Sequence, residues 1–226
     1  MDLAEHYRQM YEDSLGVIRS QGPQTDELID SPEDTRRGIT LLTRPPQEVK
    51  AAVHAMLERL RGLEPGQYYY PDEDIHLTVL SIITCRSGFT LEEIVPQDYI
   101  RLIQNALRGL PPIEIRFRGI TLSPGCVMLQ GYPDDDTLNR FRDRLRDAFR
   151  NSPLRQTLDQ RYTLQTAHST VVRFRCPFRD TDAFLSALES CREQDFGSFR
   201  VNRMELVLND WYQRRENTRE LCHFQL

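Results

Sequence analysis

Two short stretches of this chain repeat each other in chemistry and in position. Asp74-Ile-His-Leu-Thr-Val-Leu-Ser-Ile82 and Thr166-Ala-His-Ser-Thr-Val-Val-Arg-Phe174 each place a histidine two residues before a threonine, in a run rich in β-formers. Side chains alternate across a strand, so His76 and Thr78 share one face, and so do His168 and Thr170. The chain holds 5 His and 15 Thr. Random placement would give about 0.3 His-x-Thr matches, so two at equivalent places carry information.

The surroundings repeat as well. In the first half, Gly38–Thr43 reads as a strand. Pro45-Pro46 opens a helix whose buried face is Val49, Val53, Met56, Leu57, Leu60 and Leu63. A short extended piece at 67–71 leads to a strand over 74–83, a helix over 96–110 and a half-buried strand over 113–118. In the second half, 126–130 is a strand and 134–150 a helix with Leu138, Phe141, Leu145, Ala148 and Phe149 inward. An extended piece at 160–163, the strand 166–174, a helix over 180–193 capped by Asp180 or Thr181, and a strand over 201–209 follow. A terminal strand over 220–226 closes the chain. The two histidines lie 92 residues apart and the leading strands, taken at Ile39 and Val127, 88 apart. Two copies of strand–helix–strand–helix–strand fit these offsets. Packed about a pseudo-twofold axis, their His-Thr faces meet across one groove.

Ahead of the repeat, residues 3–19 predict a helix with Leu3, Tyr7, Met10, Tyr11, Leu15 and Ile18 as its apolar stripe. Residues 20–37, with Gly22-Pro23 and Ser31-Pro32, read as a linker. Residues 1–36 are therefore expected to form a helical extension packed on a bilobal domain over 37–226, whose lobes swap or share terminal strands.

With 226 residues, 28% charged and 39% hydrophobic, the composition is that of a globular protein. The net charge of −5 disfavours binding to long nucleic acid, which needs basic surface to displace counterions. It leaves a small nucleotide or a short RNA end as partner. No apolar run reaches the roughly 18 residues that cross a bilayer, and the acidic stretch Met1-Asp-Leu-Ala-Glu-His-Tyr7 does not read as a signal-peptide core. Cys85, Cys126, Cys176, Cys191 and Cys222 are odd in number and widely spaced, which points to reduced thiols and a cytoplasmic location rather than a structural zinc site. A monomer is expected, with no membrane partner.

The two motifs resemble those of the 2H phosphoesterase superfamily, which includes bacterial RNA 2′,3′-cyclic phosphodiesterases, historically called 2′-5′ RNA ligases. His76-Leu-Thr-Val79 and His168-Ser-Thr-Val171 both fit the family pattern of His-x-Thr/Ser followed by an apolar residue. The run to Arg173 resembles the bacterial branch, and Met204–Leu208 and Leu221–Leu226 are similar to the family's last strands. The resemblance covers roughly 36–226. It implies an α+β fold of two pseudo-symmetric lobes, each an antiparallel sheet with helices on its outer face, the active groove lying between the sheets. It also implies a metal-independent phosphodiesterase without cofactor. His76 and His168 would be general base and acid in either order, and Thr78 and Thr170 would donate hydrogen bonds to the charged phosphoryl oxygens.

Other residues are candidates for substrate contact. Tyr68, Tyr69, Tyr70 and Tyr162 precede the motif strands, and Trp211 and Tyr212 follow the last repeat strand. Each could stack a base at the groove rim or simply pack. Arg116, Arg118 and Arg203, on polar faces of flanking strands, could look into the groove and hold phosphate, or be solvated. Strict alternation turns Arg173 away from His168, so it reaches phosphate only if the strand twists or bulges. Asp74 could orient the His76 ring or belong to a solvated turn. The charges on 134–150, such as Asp136 with Arg140, read as an exposed salt-bridged face, and His6, His54 and His223 as surface or packing residues. Three alternatives stay open: two inert buried histidines, a non-catalytic nucleotide- or RNA-end-binding module, and a metal-dependent hydrolase. The last lacks any His-x-His or His-Glu-x-x-His spacing.

Overall fold

The computed structural model describes residues 2–160 and 162–226. Helix α1 (Leu3–Gln21) starts at Asp2, whose carboxylate accepts hydrogen bonds from the amides of Ala4 and Glu5, and stops at Gly22. Strand β1 (Arg37–Thr43) follows the linker, then α2 (Gln47–Leu63), β2 (Tyr68–Tyr69), β3 (Leu77–Arg86), α3 (Pro96–Leu107) and β4 (Glu114–Ser123). The second run is β5 (Cys126–Pro133), α4 (Thr137–Arg150), β6 (Ser169–Arg173), α5 (Thr181–Glu189), β7 (Asp195–Arg200), β8 (Arg203–Asp210) and β9 (Arg219–Gln225). Among the described residues, no helix is long and apolar enough to cross a membrane.

The fold is α+β, built on two antiparallel sheets ordered β3-β1-β8-β9 and β2-β6-β5-β4-β7. Setting β2 aside, the two orders match strand for strand, with the two motif strands β3 and β6 in equivalent places. The third strand of each copy crosses over. β4 ends the first half of the chain but pairs with β5, and β8 ends the second half but pairs with β1. Each sheet thus holds strands from both halves, and one continuous apolar core runs from Tyr11 in α1 through both sheets to Phe224 in β9.

Several expectations need correction. Leu63 is 41% exposed, because α2 ends there beyond the core. Asp134–Asp136 form the turn ahead of α4 rather than its first residues, the Asp135 carboxylate accepting from the Thr137 amide. Of the extended piece expected at 160–163, Arg161 lies outside the described residues, and Gln160, Tyr162 and Thr163 belong to no strand. Strand β7 was not anticipated. Its buried phenylalanines, Phe196 and Phe199, stand three apart because the chain bulges at Gly197, whose φ of 102° favours glycine, so the period of two is hidden.

Both motif strands are bulged at the same place. In β3, Leu42 faces Thr78 and Leu41 faces Leu80, so the ladder passes over Val79. In β6, Met128 faces Thr170 and Val127 faces Val172, so it passes over Val171. Each skipped residue is the valine that follows the motif threonine. The bulge carries the residue three places after each threonine back to the threonine's face. These residues are Ser81 in β3 and Arg173 in β6.

Candidate active site

A cavity of about 200 Å³ opens between the sheets, and His76, Thr78, His168 and Thr170 all line it. Both histidines sit just before their strands rather than within them. His76 is buried, with Nδ1 2.7 Å from the Asp74 carbonyl oxygen. That bond makes Nδ1 the protonated nitrogen of the neutral ring and leaves the Nε2 lone pair available. The orienting group is thus the main chain of Asp74. Its carboxylate is buried, not solvated, and accepts a hydrogen bond from the Arg215 amide at 2.7 Å. The His168 Nδ1 lies 2.7 Å from the Thr166 hydroxyl, which can donate or accept.

Burial holds both imidazoles at a pKa of about 4, below the usual value near 6.5. Nearby positive charge adds to the effect: Arg44, His168 and Arg173 at His76, and Arg142, Arg173 and His6 at His168. Among the described residues, Arg173 acts on both rings. It lines the cavity, with its Nε donating to the Tyr70 hydroxyl at 3.1 Å and a terminal nitrogen 3.8 Å from the Asp26 carboxylate. The bulge at Val171 therefore supplies the condition on which its approach depended.

The aromatic candidates divide by burial. Tyr70 lines the cavity but is 2% exposed, packed edge-on against Tyr68. Tyr212 is equally buried, and its hydroxyl donates to Asp26 and accepts from Arg36. Trp211 lines the cavity with the Arg36 guanidinium 4.7 Å from its ring centre. Tyr162 lies at the mouth, 61% exposed. Tyr68 meets the Tyr70 ring edge-on and carries the Arg214 guanidinium over its own ring, and Tyr69 is buried with its hydroxyl donating to the Glu64 carbonyl.

Three arginines that could have looked into the groove or been solvated do not line the cavity. Arg116 and Arg118 do share the Thr170 face of their sheet, through the register Arg116–Tyr132, Thr121–Met128 and Met128–Thr170. Helix α1 lies across that face, with the Thr121 hydroxyl donating to the Tyr7 carbonyl and the Tyr7 ring against Tyr132. The two arginines emerge on its far side in a separate cleft, paired with Asp195 and Glu193. Arg203 is drawn instead to the carboxylates of Glu205 and Glu220 at the β8–β9 edge. His6, read as a surface or packing residue, is close enough to His168 to depress its pKa.

Sequence reasoning missed Arg142 and Arg146 of α4. Arg142 is 0% and Arg146 4% exposed, and both donate to main-chain carbonyls leading into the second motif. The signal was present. Arg142 stands on the inward stripe of Leu138, Phe141, Leu145 and Phe149, where a cation must have a reason to be. Among the described residues, no group of three or more His, Cys, Asp or Glu is arranged to hold a metal ion.

Residues 45–212 match the family model of the 2′-5′ RNA ligase superfamily. A search of curated proteins returns no match. Among solved structures, TT0787 of Thermus thermophilus is 20% identical, with a TM-score of 0.56 over 84% of this chain and 97% of that one. E. coli LigT complexed with 3′-AMP is 15% identical, with a TM-score of 0.55 over 84% and 98%. A conserved protein of unknown function from Agrobacterium tumefaciens is 17% identical, with a TM-score of 0.56 over 92% and 97%. These structures share the fold, and the family model spans most of the chain: the protein belongs to the 2′-5′ RNA ligase superfamily, the 2H phosphoesterases.

Proposed function

We propose that the protein is a metal-independent phosphodiesterase that hydrolyses a 2′,3′-cyclic phosphate or a short 2′-5′-linked or cyclic nucleotide. The observation that carries this reading is the opening of both His-Thr pairs onto one cavity beside Arg173. One neutral imidazole takes a proton from water as the water oxygen attacks phosphorus. The other, as imidazolium, protonates the ribose oxygen as its bond to phosphorus breaks, leaving a phosphomonoester and a free hydroxyl. The Thr78 and Thr170 hydroxyls donate to the non-bridging oxygens, where negative charge grows. The Arg173 guanidinium offsets that charge. The strain of a five-membered cyclic phosphate lowers the demand on the site. Trp211, braced by Arg36, offers a ring face on which a base can stack, and Tyr162 a second at the mouth. The 3′-AMP complex of E. coli LigT supports a small nucleotide as ligand. We place the protein in the cytoplasm, where five free thiols stay reduced.

The test is a panel of cyclic mononucleotides, 2′-5′ and 3′-5′ dinucleotides and cyclic dinucleotides, run in excess chelator. Turnover is expected for at least one class. His76→Ala and His168→Ala should each lower it by about 10²–10⁴-fold with the fold intact by circular dichroism. Loss of activity on chelation would point to a metal-dependent hydrolase, and binding without turnover to a non-catalytic nucleotide-binding module.

A further inference from the structure

Arg142 is 0% exposed, in the middle of α4. A guanidinium is expensive to bury unless its N–H groups find acceptors. Arg142 Nε donates to the Val79 carbonyl at 2.8 Å, and one terminal nitrogen donates to the carbonyls of Thr78 and Thr166, both at 2.9 Å. The other terminal nitrogen donates to Asn139 Oδ1 at 3.0 Å. Thr78 is the first motif's threonine, and Val79 is the residue that the β1–β3 ladder passes over. Thr166 carries the hydroxyl on His168 Nδ1. One side chain thus grips the main chain of both motifs, one from each sheet. The approach to β6 needs such support. Among the described residues, 162–168 belong to no strand. Besides Arg142 they are held by Arg146, donating to the Leu164 carbonyl at 2.8 Å, and by the Tyr7 hydroxyl, accepting from the Ala167 amide at 3.2 Å.

We propose that Arg142 is a positioning residue that couples the two His-x-Thr motifs and sets where the two imidazoles stand relative to one phosphate. This rests on the paired-histidine reading above. Arg142 touches no reacting atom in this account. It acts through the Thr78 backbone on one side and the Thr166–His168 contact on the other. Lysine would keep the charge but cannot reach the carbonyls of residues 78, 79 and 166 together.

The test compares Arg142→Lys and Asn139→Ala with Ile103→Ala, a core change in α3 that does not line the cavity and serves as a stability control. Arg142→Lys is expected to lower kcat about 100-fold with KM within about threefold, the effect of a misplaced catalytic group rather than lost affinity. Asn139→Ala, which frees one arm of the fork, should lower kcat about 3- to 10-fold. Ile103→Ala should lower Tm without lowering kcat. The His168 ring, followed by NMR titration without substrate, should change its pKa in Asn139→Ala. Wild-type kcat in Arg142→Lys, or losses that simply track Tm across all three variants, would overturn the proposal. If Arg142→Lys does not fold, unchanged kcat and unchanged His168 titration in Asn139→Ala would overturn it. Wild-type protein inactive on every substrate would sink the paired-histidine reading instead, and the ring titration would still report on the coupling.

Discussion

His76 and His168 occupy equivalent places but are held differently. The Asp74 carbonyl dictates one tautomer for His76, with Nε2 as acceptor, whereas the Thr166 hydroxyl permits either at His168. Both rings are largely neutral at pH 7, because burial puts their pKa at about 4. In the proposed mechanism one of them must carry a proton, and a bound phosphate supplies the reason. Its negative charge favours the imidazolium, so binding raises the pKa of each ring. kcat/KM reports the free enzyme and kcat the complex. The optimum of kcat/KM is therefore predicted below pH 6.5 and that of kcat at higher pH, measured over pH 3.5–9 (~0.5-unit steps) on one cyclic nucleotide. Coincident profiles, or a free-enzyme acid limb at or above pH 6.5, would contradict this. At this scale the sequence was most legible where residue type alone carries chemistry, in the two His-x-Thr pairs. It was least legible where the main chain does the work, as with the Asp74 carbonyl on His76.

At the scale of elements, paired bulges do what strict alternation could not. Because the ladders pass over Val79 and Val171, Thr78 shares its face with Ser81, and Thr170 with Arg173. Arg173 thus reaches the cavity, while the equivalent place in β3 carries an uncharged serine. A bulge has no dependable signature in one sequence, which is why Arg173 read as facing away and β7 went unseen. The helices and most strands were legible because their periods are regular, as in the inward stripe of α4. A second element-level constraint is the crossing of β5 with the approach to β6. A Cβ on Gly131 would stand 1.9 Å from the Ala167 carbonyl oxygen, next to His168. Gly131→Ala must push that segment away. Overpacking of this kind costs about 2 kcal/mol, or roughly 4–8 °C in Tm for a chain of this size. We predict that fall by calorimetry, accompanied by a drop in kcat. An unchanged Tm would show that the crossing is looser than described.

Across the whole molecule, exchange of β4 and β8 between the halves interlocks the two sheets, so the cavity between them is walled by strands that neither half supplies alone. The sequence offsets of about 90 residues made the duplication and the shared groove legible. They could not reveal that α1 lies on the Thr170 face of the second sheet, because a helix with one apolar stripe can dock on any apolar surface. That placement moved Arg116 and Arg118 out of the groove and brought Tyr7 and His6 toward His168. In the proposed mechanism two imidazoles from duplicated halves act on one phosphorus in one step. Groups that act as a unit are non-additive when removed. Turnover of the best cyclic nucleotide should therefore be measured for His76→Ala, His168→Ala and the double variant. The double variant is expected to be no more than about threefold slower than the slower single one. Losses that multiply, or a single variant that keeps wild-type kcat, would contradict that mechanism.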